Sequence, residues 1–365
     1  MADYNRGDVA EGIVGAALTA KFMNRPKSLK DADIPLTKKM IDDVLDKLFK
    51  SSNNSVYKVN DIVTKKGKTV TDTIRFSMHL PIAAFNLLQD KNKRTLVDDL
   101  YKSAIEYIET TWQQEVLDFA KNGEIDDIII DSDGVGDQKG TKADIKITIN
   151  GKKYSRQISL KVKGGDQFAQ VTGHDFSKQK VLWENILNLD LSKIEKKYND
   201  ELDEYDSSEA FSSRENVRVE LFKKMLKSAA SVAYKEATKQ IQQQIKSKNP
   251  IFFTNLTKLI IEGAAKGDLS IELVKLEKGG FNRLQFNKTF LKNFTKKLMD
   301  SNLQVVFVQT GDPTVRIYAG QIQKNNLILQ IRPKVAAESS NLKSGKVYKP
   351  YIRNLIESGP MLFKI

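Results

Sequence analysis

Residues 143–165 read ADIKITINGKKYSRQISLKVKGG. Apolar and polar residues alternate on either side of Asn150-Gly151, a dipeptide that favours the positive φ angles of a tight hairpin turn. In the first arm Ile145, Ile147 and Ile149 point one way while Asp144, Lys146, Thr148 and Asn150 point the other. In the second arm Ile158, Leu160 and Val162 oppose Gln157, Ser159, Lys161 and Lys163. A four-residue connection, Asn150 to Lys153, pairs 149 with 154 and sets Asp144 directly across from Ser159, whereas a two-residue turn leaves them diagonal neighbours. Because the side-chain period is two, either register gathers Asp144, Ser159 and Lys161 on one face. That face is expected to be wet and the isoleucine face to be core.

Phosphodiester hydrolysis needs a carboxylate to hold a divalent cation, an activated water, and a positive group to stabilise charge developing on the phosphate. Asp144 suits the first role and Lys161 the last. An Asp, a hairpin, then an acidic residue, any residue and Lys is the signature of the PD-(D/E)XK nuclease superfamily. Ala143-Asp144 followed by Ser159-Leu160-Lys161 resembles it. The departure is Ser159, which stands where the family usually carries Glu or Asp, and Ser is the weaker metal ligand.

The resemblance spans about residues 100–190 and 303–332. It implies an α/β, restriction-endonuclease-like core with a mixed central sheet flanked by helices, a Mg2+ or Mn2+ cofactor, and DNA as partner. It further implies the Leu160 carbonyl as a metal ligand beside Asp144. Arg6-Gly7 followed by Glu11 is similar to the opening of the resolvase-like branch, in which the Glu reaches the metal site. Glu106, Glu109 and Glu115, on the helix before the sheet, are alternatives for that role. Gln167, after the lysine strand, resembles the polar Gln-bearing segment of restriction-type branches and would touch water or phosphate.

Composition narrows the chemistry independently. The 365 residues contain no cysteine, which excludes disulfide scaffolds, thiolate zinc sites and thiol nucleophiles. Only His79 and His174 are available for histidine chemistry. Lys and Arg number 59 against 46 Asp and Glu, a net charge of +13 that favours a polyanionic partner. The N-terminal stretch lacks the basic start of a signal peptide, and no segment is apolar enough to span a bilayer. A cytoplasmic protein without membrane contact is the expectation.

Along the chain, periodicity predicts helices over 8–23, 34–50 and 95–121, and strands on both sides of Lys66-Gly67. Residues 166–191 read as helical again, and LQVVFVQT, VRIYAGQI and LILQIRP read as strands. The expected division is a mostly helical N-terminal region (1–94), a nuclease-like core (95–191 and 303–335), a helical insertion (192–302) and a basic C-terminal tail (336–365). The loop over 131–137 lacks the closing acid of a calcium loop and reads as a turn. Lys163-Gly164-Gly165 lacks the Gly-Lys-Ser/Thr of a phosphate loop. These features predict a metal-dependent DNA endonuclease of restriction or phage type, with a homodimer as one arrangement. The rival is a nucleic-acid-binding protein that keeps a nuclease-like fold without cleavage, favoured by Ser159.

Overall fold

The computed structural model describes residues 4–27, 33–51, 55–122, 125–132, 143–151, 154–162, 167–172, 176–203, 216–265, 271–336 and 351–365. The chain divides into two units, 1–165 with 264–287, and 166–263 with 288–365. In chain order the first unit contributes α1 (Arg6–Met23), α2 (Lys38–Lys50), β1 (Val56–Lys65), β2 (Lys68–Met78), α3 (Ile82–Gln89), α4 (Asp98–Thr111), α5 (Gln113–Asn122), β3 (Asp127–Ser132), β4 (Ile145–Ile149) and β5 (Tyr154–Val162). The second unit follows with β6 (Gln167–Thr172), α6 (Phe176–Lys180), α7 (Glu195–Asp203), α8 (Asn216–Lys246) and α9 (Pro250–Ala265). The chain then returns to the first unit for β7 (Ile271–Glu277) and β8 (Gly280–Gln285). It ends in the second with α10 (Lys288–Asp300), β9 (Leu303–Val308), β10 (Thr314–Ala319), β11 (Leu327–Ala336) and β12 (Tyr351–Ser358). Among the described residues no helix is long and apolar enough to cross a membrane.

The first unit is built on a seven-stranded mixed sheet in the order β1-β2-β3-β4-β5-β7-β8. β3, β4 and β5 form an antiparallel meander, β2 lies parallel to β3, and β7 lies parallel to β5. The strands β2, β3, β5 and β7 therefore run in one direction and end on one side. Ile128, Ile130, Ile145, Ile147, Ile149 and Ile158 are all buried, so the isoleucine face is core as expected. Arg156 ties this face together: its guanidinium bonds Glu115 on α5 and Glu272 on β7, the latter at 2.8 Å, and lies 4.6 Å from the Trp112 ring. The helix expected over 95–121 is broken at Trp112 into α4 and α5, and Leu96 lies before α4, 62% exposed.

Helix α1 is buried on every side from Val9 to Phe22, packing against α2, α3, α4 and the strands β2, β3 and β5. A helix surrounded in this way cannot be amphipathic, and its sequence GDVAEGIVGAALTA is not. Close approach requires small residues at two positions. A Cβ at Gly12 would sit 2.5 Å from a Leu88 methyl, and one at Gly15 would sit 2.7 Å from the Phe76 ring. Asn5 caps the helix by accepting the Gly7 N–H at 3.0 Å.

The second unit carries a five-stranded antiparallel sheet, β6-β12-β11-β10-β9, with the 31-residue α8 packed on β9, β10 and β11. Several expectations are corrected here. Strands over 303–336 do not extend the hairpin's sheet; they make this second sheet, because apolar runs announce strands without saying which sheet they join. The stretch 336–365 is not merely a basic tail, since β12 pairs with β11 on one side and β6 on the other. Residues 166–191 are not helical throughout: Gln167 opens strand β6, where Gln167, Ala169, Gln170, Val171 and Thr172 pair with β12. The 192–302 insertion is interrupted by β7 and β8, which belong to the first sheet, and β1 and β2, the strand pair expected around Lys66-Gly67, join that sheet as well.

The tight seat of α1 makes a prediction. Gly12→Val and Gly15→Val should each destabilise the protein by about 1–3 kcal/mol, the usual cost of overpacking. Gly7→Ala, whose Cβ would meet only the Asn5 side chain at 3.3 Å, should stay within about 0.5 kcal/mol. Urea unfolding of the three variants measures the difference.

Candidate active site

The hairpin adopts the register of the four-residue connection. Ile149 pairs with Tyr154 and Ile145 with Ile158, and the Asp144 N–H donates to the Ile158 carbonyl at 2.8 Å. Asn150 and Gly151 take φ of +51° and +59°, the left-handed geometry that this dipeptide tolerates. Asp144 therefore stands across from Ser159, at the end of the sheet where β3 and β5 finish and β4 begins.

One oxygen of Asp144 is the focus of the cluster. It accepts the backbone N–H of Leu160, lies 3.4 Å from Ser159 Oγ and 3.4 Å from Lys161 Nζ. Lys161 Nζ in turn donates to Ser159 Oγ at 3.1 Å and to the Leu160 carbonyl at 3.0 Å. Asp144 and Lys161 are about one-fifth exposed, so both reach solvent from a largely enclosed position.

The face is not wet as expected. Ser159 is 2% exposed and Gln157 is also buried. The reason lies in β7, which a reading of the hairpin alone does not supply: it sets Ile271 beside Gln157 and Leu273 beside Ser159, and both are buried apolar residues. Lys161, one step further along, keeps its opening.

Glu11 lies near enough to this cluster to feel the charges of Asp144 and Lys161. It is 7% exposed, and its Oε2 has no hydrogen-bond partner among the described residues. Burial, together with the negative charges of Asp144 and Asp8, pushes its pKa up to about 9, while Lys161 pulls the other way. Asp8, one turn earlier on α1, is also raised, by burial first and by Asp144 second. Asp8 was missed in the sequence, although its spacing of three from Glu11 places both on one side of the helix. Three carboxylates and one ammonium thus share this end of the sheet.

The alternatives to Glu11 are engaged elsewhere. Glu109 bonds Lys21 at 3.1 Å and the Leu36 N–H at 2.7 Å, Glu115 bonds Tyr154 and Arg156, and Glu106 lies beside Gly280 of β8. Gln167 opens strand β6 and belongs to the second unit. Residues 133–137 of the acidic loop and Lys163-Gly164-Gly165 lie outside the described residues.

A divalent cation fits this donor set. Ionised, the buried Glu11 carboxylate and Asp144 would repel one another, so Glu11 keeps its proton, and a bound cation would relieve that repulsion. Asp144, Glu11 and the Leu160 carbonyl would hold it. Among the described residues no group of three His, Cys, Asp or Glu side chains converges closely enough to bind a metal alone, so the carbonyl and water would have to complete the coordination.

The raised Glu11 gives a pH dependence of known sign. Below about 4.5 the carboxyl is protonated in both folded and unfolded chains, and between about 4.5 and 9 only the folded chain keeps the proton. The stability of the metal-free protein should therefore fall as pH rises through that window, by up to about 1.4 kcal/mol per unit from this group. Glu11→Gln should remove that slope. Urea unfolding of both proteins between pH 5 and 8, with EDTA present, checks it, and parallel profiles would show that Glu11 does not titrate as described.

No family model, characterised protein or solved structure matches the chain, and the reading of this centre therefore rests on its own residues.

Proposed function

We propose that the protein is a divalent-metal-dependent nuclease that hydrolyses DNA phosphodiesters, and that Asp144, Lys161, Ser159 and Glu11 form its active centre. The observation that carries this reading is the meeting of the Asp144–Ser159–Lys161 cluster with the buried, unpartnered carboxylate of Glu11. The β3-β4-β5 meander with β7 parallel to β5 agrees with the restriction-endonuclease-like core that the resemblance implies. The cluster also sits where the parallel-running strands end, the side of an open α/β sheet at which ligands bind.

A bound Mg2+ or Mn2+ would supply an activated water and neutralise negative charge on the phosphate. The chain's own residues do the rest. Asp144 presents an anionic oxygen, Glu11 would present a second once a bound cation displaces its proton, and the Leu160 N–H holds the Asp144 carboxylate in orientation. Lys161 keeps a positive charge beside the same oxygen, able to meet charge that develops on a scissile phosphate. Ser159 does not replace the missing acid as a ligand. Buried and 3.1 Å from the Lys161 ammonium, it positions that lysine.

A second reading rests on the same residue. With Ser159 in the acidic position the centre carries less negative charge than the family pattern provides, which favours a nucleic-acid-binding protein without cleavage. Plasmid incubation with Mg2+ or Mn2+, and then with EDTA, separates the two.

Asp144→Asn and Lys161→Ala should each lower metal-dependent cleavage by about a hundredfold or more while DNA binding is retained. Asn preserves the acceptor for the Leu160 N–H, so Asp144→Asn should fold as the wild type does. Ser159→Ala should have a smaller effect. Supercoiled plasmid relaxation measures all three. Undiminished cleavage by Asp144→Asn places the chemistry elsewhere, and a wild type that binds DNA yet cleaves with neither metal leaves the second reading standing.

A further inference from the structure

A groove of about 810 Å3 lies wholly within the second unit, between the C-terminal half of α8 and strand β9. Lys235, Lys239 and Lys246 line it from one side of the helix, at spacings of four and seven residues, and Lys248 follows just past the helix end. All four are exposed. Lys239 has Glu236 at 3.7 Å, whereas Lys235, Lys246 and Lys248 have no ion-pair partner among the described residues. No Asp or Glu lines the groove. Three ammonium groups along some 16 Å of helix, with that of Lys248 just beyond its end, repel one another, and an extended polyanion is the ligand that relieves this.

The opposite wall adds an aromatic surface and a covered edge. Phe307 is half-buried, with Lys235 Nζ 5.5 Å from its ring centroid. β9 is the last strand of its sheet. The Asn302 carbonyl accepts from the Gly320 N–H at 3.2 Å, so the alternation of the antiparallel ladder turns the backbone groups of Leu303, Val305 and Phe307 toward the outer edge. Gln242 of α8 already donates to the Val305 carbonyl at 3.2 Å. A peptide strand adding to this edge would find that acceptor taken.

We infer that this groove binds single-stranded nucleic acid, with phosphates along Lys235, Lys239, Lys246 and Lys248 and a base on the Phe307 ring. A single strand offers both phosphates and open base faces to one narrow groove, whereas a duplex keeps its bases stacked inside. The inference goes beyond the hydrolytic reading and uses no residue of the first unit.

Fluorescence anisotropy of a labelled twelve-nucleotide oligo(dT) and of a duplex of equal length, with the full chain, tests it. Replacing the four lysines with Gln should weaken oligo(dT) binding at least tenfold and flatten its salt dependence by about 0.7 in log–log slope for each phosphate no longer neutralised. Phe307→Leu should weaken it about tenfold while changing the salt slope little. Thermal unfolding identifies any variant whose fold has changed, and the single Lys246→Gln variant, fully on the surface, then carries the comparison. Unchanged oligo(dT) affinity in the folded lysine variants overturns the proposal. So does displacement of the oligonucleotide by a poly-glutamate peptide as readily as by unlabelled oligo(dT), which would make an acidic peptide the better ligand. Strand binding without any plasmid cleavage would sink the nuclease reading and leave this one intact.

Discussion

The candidate centre depends on the burial of α1 from Val9 to Phe22. A helix enclosed by three other helices and three strands has no solvent-facing side on which to carry a charge, yet Glu11 sits within its buried run. The cost of that placement is borne by the packing of Val9, Ile13, Val14, Ala17 and their neighbours, which fix the helix too firmly for the carboxylate to escape to water. The same packing aims Asp8 and Glu11 toward Asp144. Such strain in a group's protonation state, held by well-packed surroundings, is common where catalytic or ligand-binding chemistry occurs.

The hairpin was legible from its residues because two local signals agreed: strict alternation and an Asn-Gly turn. Loop length left two registers open, but the side-chain period of two placed Asp144, Ser159 and Lys161 on one face in either, and the structure takes the four-residue connection. The burial of Ser159 was not legible, because it depends on β7, more than a hundred residues further along the chain. Glu11 could be proposed only through a resemblance; its periodicity is that of any buried helix, and nothing local tells which neighbour the carboxylate meets. Gln167 shows the opposite failure. QFAQVT is short enough to serve as strand or helix, and its partner β12 lies near the far end of the sequence.

The division into units eluded the sequence for a similar reason. A parallel pair such as β5 and β7 requires a crossover, ordinarily a dozen or more residues and often one helix. Here the crossover is a large part of the second unit, including β6 and four helices. Composition does not shift at 165 or 263 in a way that marks a boundary, and apolar strands on both sides look alike. Both sheets are mixed with helices, so the protein is α/β in class while its two sheets differ in kind, one mixed and one wholly antiparallel.

The interleaving of the two units has a consequence for synthesis on the ribosome. When residues 1–165 have emerged, α1 and the strands β1 to β5 are present, but β5 is an edge strand with its outer amide groups unpaired. Those groups are satisfied only after about a hundred further residues have been translated and β7 arrives. During that interval the segment bearing Ser159 and Lys161 is an open template for mispairing with a second nascent chain. Slow elongation through the 166–263 stretch would prolong this vulnerability, and a chaperone that shields a strand edge would have its natural client at this stage.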